Sequence, residues 1–229
     1  MTQRKTPKLY QKHILIIGGS SGLGYAVAEL SLESSAKVTI SSSSPKRIET
    51  AVSKLKEAFP DAEVNGHACD LSGEDVESHI VELFEKVGKV DHVVFTAGDA
   101  LASMKISEID LKKIQTAGQI RFFAPLLVAK HAAKYLSPGP ESSIILTTGT
   151  VGDHPIPDWS VIAGYAAGLH GMTRNLAVDL KPIRVNCVSP GAVETELWDN
   201  MQKTAKETMM NQIAAKVPTG RIGRPEDGK

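Results

Sequence analysis

The stretch His13-Ile14-Leu15-Ile16-Ile17-Gly18-Gly19-Ser20-Ser21-Gly22-Leu23-Gly24 decides how the rest of the chain reads. Its first five residues form an apolar run that ends in glycine, the pattern of a short strand buried on both faces. A helical pattern over 23–34 follows at once. In such a strand–turn–helix unit Gly18 permits the tight turn, and Gly22 lets the backbone approach a pyrophosphate. Gly24 allows the helix to pack closely on the strand. The helix N-terminus offers free N–H groups and a positive dipole end. Ser20, Ser21 and Leu23 therefore join the three glycines as candidate nucleotide-binding positions.

Outward from this unit the same alternation recurs. Apolar runs at 37–41, 63–68, 91–96, 143–147 and 183–188 predict five more buried parallel strands. Helical patterns at 45–58, 73–87, 110–136 and 160–180 lie between them. Alternating strand and helix predicts a doubly wound α/β sheet with helices on both faces. No repeat or composition break divides the chain, so 1–229 reads as one dinucleotide-binding domain.

The end of the second strand bears on nucleotide choice. A site selective for NAD carries Asp or Glu there, to bind the ribose 2′-OH. This chain has Ser41-Ser42-Ser43-Ser44-Pro45-Lys46-Arg47 instead. Hydroxyls at Ser41, Ser42 and Ser43 with two cations nearby suit a 2′-phosphate, hence NADP(H). The same serines also read as a solvated helix cap.

Composition excludes several classes. Lys and Arg total 26 and Asp and Glu total 26, a balance that gives nucleic acid or an acidic membrane no purchase. The N-terminal apolar run is too short for a signal peptide core or a membrane span. Two distant cysteines, Cys69 and Cys187, match no metal spacing and read as small core residues in a reduced, cytoplasmic compartment.

Further motifs are ordered along the chain. Cys69-Asp70-Leu71 follows the third strand, and Thr96-Ala97-Gly98 follows the fourth. Arg184-Val185-Asn186 precedes Ser189-Pro190-Gly191-Ala192-Val193-Glu194-Thr195, and Gly220-Arg221-Ile222-Gly223-Arg224-Pro225-Glu226-Asp227 comes late. Together with Gly18-x3-Gly22-x-Gly24, this series resembles the short-chain dehydrogenase/reductases over nearly the whole chain. Ile17 stands where the family's leading Thr is usual. The resemblance implies a Rossmann-type sheet of order 3-2-1-4-5-6. It sets Asp70 and Leu71 against adenine, Ala97 and Gly98 beside the nucleotide, and Pro190, Gly191, Val193 and Thr195 along the nicotinamide.

In that family an Asn-Ser-Tyr-Lys tetrad carries the chemistry. Aligning Gly168-Leu169-His170-Gly171-Met172-Thr173 with the family's corresponding helix places Ile162 at the Tyr position and Ala166 at the Lys position. Family spacing then puts Gly149 at the Ser position and Arg121 at the Asn position. Neither Ile nor Ala can carry a proton or lower a phenol's pKa. Thr148 and Thr150 flank Gly149 and read either as replacement donors or as ordinary strand-end threonines. Tyr165 is a reserve proton donor, and His154 and His170 are weaker candidates.

This combination is similar to a tetrad-lacking branch from fungal secondary metabolism that includes bifunctional reductase/Diels–Alderases. In that branch an Arg at the place of Arg121 and a Trp at that of Trp159 line the pocket. The Asp of its Pro-Asp-Pro-Glu-Trp motif corresponds here to Ile156, leaving Asp158 and Asp153 as the nearby acids. The candidate catalytic set is therefore Arg121, Trp159, Asp158 and Thr148. Arg121 reads as a donor to an amide or carbonyl oxygen, or as an ion pair. Trp159 reads as an aromatic wall for a cation, or as loop packing.

Three functions fit these residues. The first is NADP(H)-dependent reduction of an iminium or activated carbonyl in a biosynthetic pathway. An iminium carbon accepts hydride without a proton donor. The second is redox-neutral cyclisation or isomerisation, and the third a silent binding partner. Residues 192–217 form the expected substrate lid, with a helical pattern over 197–217. Leu197, Trp198, Met201, Met209 and Met210 suit a bulky apolar ligand, or equally helix packing. Family members continue with another helix and a closing strand, so the sheet is expected to end at an exposed sixth strand. Homodimerisation through the helices at 110–136 and 160–180 is implied by the resemblance.

Overall fold

Six strands form one parallel sheet: β1 (His13–Ile17), β2 (Lys37–Ser42), β3 (Val64–Ala68), β4 (His92–Phe95), β5 (Ser143–Thr147) and β6 (Arg184–Val188). Their order in the computed structural model is β3-β2-β1-β4-β5-β6. The structure describes residues 7–199 and 202–228. The helices are α1 (Gly22–Glu33), α2 (Pro45–Ala58), α3 (Val76–Val87), α4 (Leu111–Gly118), α5 (Ala124–Tyr135), α6 (Ser160–Asp179) and α7 (Lys203–Ala214). Sequence order reverses direction at β1 and β4, so the crevice between their C-terminal ends is the switch point where such sheets take ligands.

Alternation along β1 explains why helices cover both faces. Leu15 and Ile17 point into a core built with Ile80, Leu83 and Phe84 of α3, Val128 and Ala132 of α5, and Leu169 of α6. Ile14 and Ile16 point the other way, onto Ala28 and Leu32 of α1 and Ile48, Ala51 and Leu55 of α2. The period-two pattern thus splits one apolar run between two cores.

Full burial holds for the inner strands and fails at the edges. In β6 only Val185 is buried, and Val188 is 53% exposed. An edge strand has one neighbour and less helix cover, so uniform burial was too strong an expectation there.

The long helix expected over 110–136 is also interrupted. Residues Gln119–Phe123 form a π-helical turn between α4 and α5. Pro125 has no N–H to give to the carbonyl of Arg121, so the α-helical bond cannot form there. The ring of Tyr165 fills the space over Gly118, where a Cβ would lie 2.7 Å from its hydroxyl oxygen. Similarly, the expected 73–87 helix begins only at Val76, because Gly73 takes φ of 82°.

At the opposite, N-terminal edge of the sheet lies His92, 8% exposed, with Nδ1 2.8 Å from the Ser143 hydroxyl. Burial lowers its pKa below the ordinary histidine value. Protonation therefore favours the unfolded chain, and the neutral ring's contribution is complete above about pH 6.5 and is eroded as pH falls below it. The drop in Tm from about pH 8 to about pH 5 should be smaller in a His92→Asn variant than in the wild type. Equal drops in the two proteins would remove His92 from this account.

Candidate active site

The glycine turn closes against the end of β4. Its backbone is fixed by Gly18 and Gly19, whose N–H groups donate to the carbonyl of Ser41 at 2.8 and 3.1 Å. Gly18 takes φ of 93°, and a Cβ there would overlap the backbone nitrogen of Ala97. Gly24 packs so closely that a Cβ would overlap the Gly18 carbonyl and the Thr96 hydroxyl. Ser21 is the residue before α1, in extended conformation and making no side-chain cap, so its hydroxyl leaves the helix's first N–H groups uncovered. Ser20, Gly22 and Leu23 stand half-buried beside it.

Across the turn lies the segment after β6. A Cβ on Gly22 would come 3.1 Å from Thr195 Cγ2. A cleft of ≈ 450 Å³ runs between Gly22, Glu194, Thr195, Glu196 and Arg224. Val193 is bridged to Gly223, and the Trp198 indole N–H donates to the Val193 carbonyl at 2.8 Å. Pro190 is half-buried and its carbonyl accepts from Thr150, whereas Gly191 is exposed.

The serine run divides into different roles. Ser41 is fully buried; its hydroxyl has no hydrogen-bond partner among the described residues. Ser42 is half-buried and Ser43 exposed. Arg47 Nη2 donates to the Ser43 hydroxyl at 3.3 Å, and Ser44 caps α2 by accepting from the Arg47 N–H. Hydroxyl, guanidinium and helix N-terminus thus meet in one place, with no carboxylate among them. Ser41 belongs to the wall behind that place.

Next along the sheet edge, Asp70 accepts from the Ser72 N–H at 2.9 Å and from its hydroxyl at 2.8 Å, and these bonds hold its pKa below the usual range. Leu71 is buried in the core below, and its carbonyl accepts from Gln119. The Gln119 side chain also reaches Gly73 at 3.0 Å.

Arg121 projects from the π turn towards the end of β4. Its Nε donates to Asp99 Oδ1 at 3.0 Å, and Nη2 donates to the Asp99 carbonyl. Both side chains are partly exposed, at 27% and 35%. Burial lowers the arginine pKa, and Asp99 acts in the opposite direction. A Cβ on Gly98 would lie 2.9 to 3.1 Å from Nη2, Nη1 and Cζ alike, so Gly98 sits under the flat face of the guanidinium. Asp99 was not among the residues singled out by sequence. The signal was present: a charged Arg within Ile120-Arg121-Phe122-Phe123 needs a counter-charge, and an acid follows the Thr96-Ala97-Gly98 turn directly.

Two expected catalytic groups are corrected by their partners. The Thr148 hydroxyl donates to the Ala166 carbonyl at 3.1 Å, which ties β5 to α6 and leaves no free O–H for a substrate. Tyr165 donates its hydroxyl to the Ile114 carbonyl at 3.0 Å and packs on Phe122 and Phe123, towards α4. Ile162 is buried at 7%. Asp158 takes φ of 63° and its backbone carbonyl accepts from the Met104 N–H, while its side chain is exposed. Trp159, half-buried, is the residue before α6 and has no side-chain hydrogen bond among the described residues. His154 is exposed, and the buried Nε2 of His170 has no partner among the described residues.

The expected lid helix is shorter than 197–217. A 3-10 turn at Glu196–Trp198 precedes α7, where Met209 and Met210 are half-buried. Met201 lies outside the described residues. Among the described residues no helix is long and apolar enough to cross a membrane, and no group of three or more His, Cys, Asp or Glu could hold a metal.

An SDR-like Rossmann domain profile matches residues 5–228. The chain belongs to the short-chain dehydrogenase/reductase family. Members of this family bind a nicotinamide cofactor. The short-chain dehydrogenase/reductase fsr5 of Gibberella fujikuroi is 42% identical over 228 residues, covering 96% of this chain and 86% of the relative. The MalC reductase/Diels–Alderase structure from Malbranchea aurantiaca superposes with a TM-score of 0.91 at 40% identity, covering 98% of this chain and 89% of that one. A short-chain oxidoreductase from Pseudomonas aeruginosa, solved with NADPH and containing an atypical catalytic center, gives a TM-score of 0.84 at 25% identity. It covers 94% of this chain and 86% of that one. The family's strand order and glycine turn are those described above.

Proposed function

We propose that this chain is an NADP(H)-dependent reductase of an iminium or activated carbonyl carbon in a biosynthetic pathway, acting on a bulky apolar substrate from an active site without the family's tetrad. The observation that carries the reading is the acid-free end of β2, where Ser42, Ser43 and Arg47 surround the N-terminus of α2. A 2′-phosphate would be held there by charge-assisted bonds, and a ribose diol alone would lose little without them. The glycine turn fits the pyrophosphate, since its close approaches leave no room for a Cβ at Gly18 or Gly24. Ser20, Ser21, Gly22 and Leu23 would meet the phosphates. Asp70, Leu71, Ala97 and Gly98 would flank the adenine and ribose, and Pro190, Gly191, Val193 and Thr195 the nicotinamide.

Bound NADPH supplies hydride. The chain's own residues orient the acceptor and exclude water. Arg121 would donate to an oxygen of the substrate, and Trp159 would offer a ring face to its cationic or apolar part. Ile162, Ala166 and Gly149 have no proton to give, which favours an acceptor already electrophilic. Residues 192–217 would close over the substrate as a lid within a single domain, 1–229. Exposed Phe123 just before α5, Leu126 on α5 and Val178 on α6 suit a homodimer. Free Cys69 and Cys187 suit a cytoplasmic setting.

A second reading, redox-neutral cyclisation on the same site, is favoured by the 40% identity to a protein named a reductase/Diels–Alderase. Calorimetric titration with NADPH and with NADH tests the first reading. An Arg47→Glu variant should bind NADPH at least about tenfold more weakly while changing NADH affinity about threefold or less. Equal weakening of both nucleotides would refute the 2′-phosphate site. Absence of binding by either would leave the cofactor-free cyclase or the silent binding partner.

A further inference from the structure

The grip of Asp99 on Arg121 determines what the guanidinium can recognise. A free arginine in a cleft presents a planar fork that matches a carboxylate or phosphate bidentately. Here the edge formed by Nε and Nη2 is taken by the Asp99 carboxylate and carbonyl. Gly98 closes one face of the plane. Nη1 has no partner among the described residues, so its two N–H groups and the second N–H of Nη2 are the donors left for a ligand. The charge of the pair sums to zero. An incoming carboxylate would meet Arg121 and Asp99 together, and beside this partly buried pair the repulsion offsets the attraction. A ketone or amide oxygen needs only a directed N–H and brings no charge for Asp99 to repel.

We propose that Asp99 is a specificity-determining residue that converts Arg121 into a neutral donor, selecting substrates that present a ketone or amide oxygen over those that present a carboxylate. This rests on the reading of Arg121 as a substrate-facing donor. Asp99 itself is a positioning residue, because it acts through the guanidinium. Asp99→Asn keeps an oxygen acceptor for Nε and removes the charge, so it separates geometry from electrostatics.

The test is titration of wild type, Asp99→Asn, Asp99→Glu and the Asp99→Asn/Arg121→Gln double variant with benzamide and benzoate. Each is measured with and without saturating NADPH. Wild type should bind benzamide at least as tightly as benzoate. Asp99→Asn should shift the ratio about tenfold towards benzoate. Asp99→Glu should restore the wild-type ratio, and the double variant should lose the gain. The proposal is overturned if Asp99→Asn gains no benzoate affinity, whether or not wild type binds either probe. It is overturned too if Asp99→Glu gains as much, or if the double variant keeps the gain. Absence of any NADPH binding would count against the reductase reading alone, since the benzoate comparison stands without nucleotide.

Discussion

A Gly24→Val variant should unfold at a much lower temperature than wild type and lose nucleotide binding together with its stability. Even a methyl group at this position would overlap the Gly18 carbonyl and the Thr96 hydroxyl, and valine adds two more. Neither neighbour can move freely. Gly18 is held by the Ser41 carbonyl, and Thr96 donates to the carbonyls of Ile17 and Gly18 at 3.2 and 3.3 Å. The helix must therefore shift off the strand, at a cost of about 3 kcal/mol or more. For a chain of this size that is a fall in Tm of about 6 to 12 °C. The shift also carries the first N–H groups of α1 away from any pyrophosphate. NADPH affinity should fall at least about a hundredfold, since several charge-assisted bonds are lost together. Thermal unfolding and calorimetry read the two effects. A variant within about 2 °C of wild type that still binds NADPH would show that the close packing is not required.

Phe84→Ala should be comparably destabilising while leaving the site intact. Phe84 is fully buried, in the core shared by β1, β4, α3 and α5. Its ring stacks on Tyr135 with centroids 5.3 Å apart and planes inclined by 22°. Truncation removes the ring's burial and leaves a cavity, which together cost about 3 to 5 kcal/mol. Phe84→Leu, which fills most of the volume, should cost about 1.5 kcal/mol or less. Denaturant unfolding gives both values. NADPH affinity measured well below Tm should stay within about threefold of wild type, because Phe84 points into the core and α3 meets the site only through His79, whose ring bonds the Asp70 carbonyl. A large loss of affinity in a folded Phe84→Ala protein would mean that core and site are coupled.

The strands were legible because each is short and carries apolar or β-branched residues between turn-forming ones, as with Gly18 after β1 and Ser189 after β6. Those at 13–17 and 143–147 coincide with β1 and β5 residue for residue. Alternation predicted the doubly wound sheet, the family resemblance supplied the strand order that sets the switch point, and the glycine turn followed from three residues at fixed spacing. What sequence could not give were the partners of polar side chains. Thr148 looks like a free donor in one dimension, and only the approach of α6 shows that its proton goes to Ala166. Tyr165 likewise turns to α4 because Gly118 makes room for its ring. The π turn depends on that same ring together with Pro125, so periodicity passed over it. Asp99 escaped notice because the Thr96-Ala97-Gly98 motif stops one residue short of it.

The π turn joins two places that are far apart along the chain. Gln119 holds the loop at Leu71 and Gly73, and two residues later Arg121 holds Asp99. Five residues thus tie the 70–73 loop to Asp99 beyond the end of β4. Anyone re-tailoring this protein for another nucleotide or another substrate inherits that linkage. Exchanges in the 70–73 loop and exchanges around Asp99 are one design problem, to be solved with Gln119 kept in place.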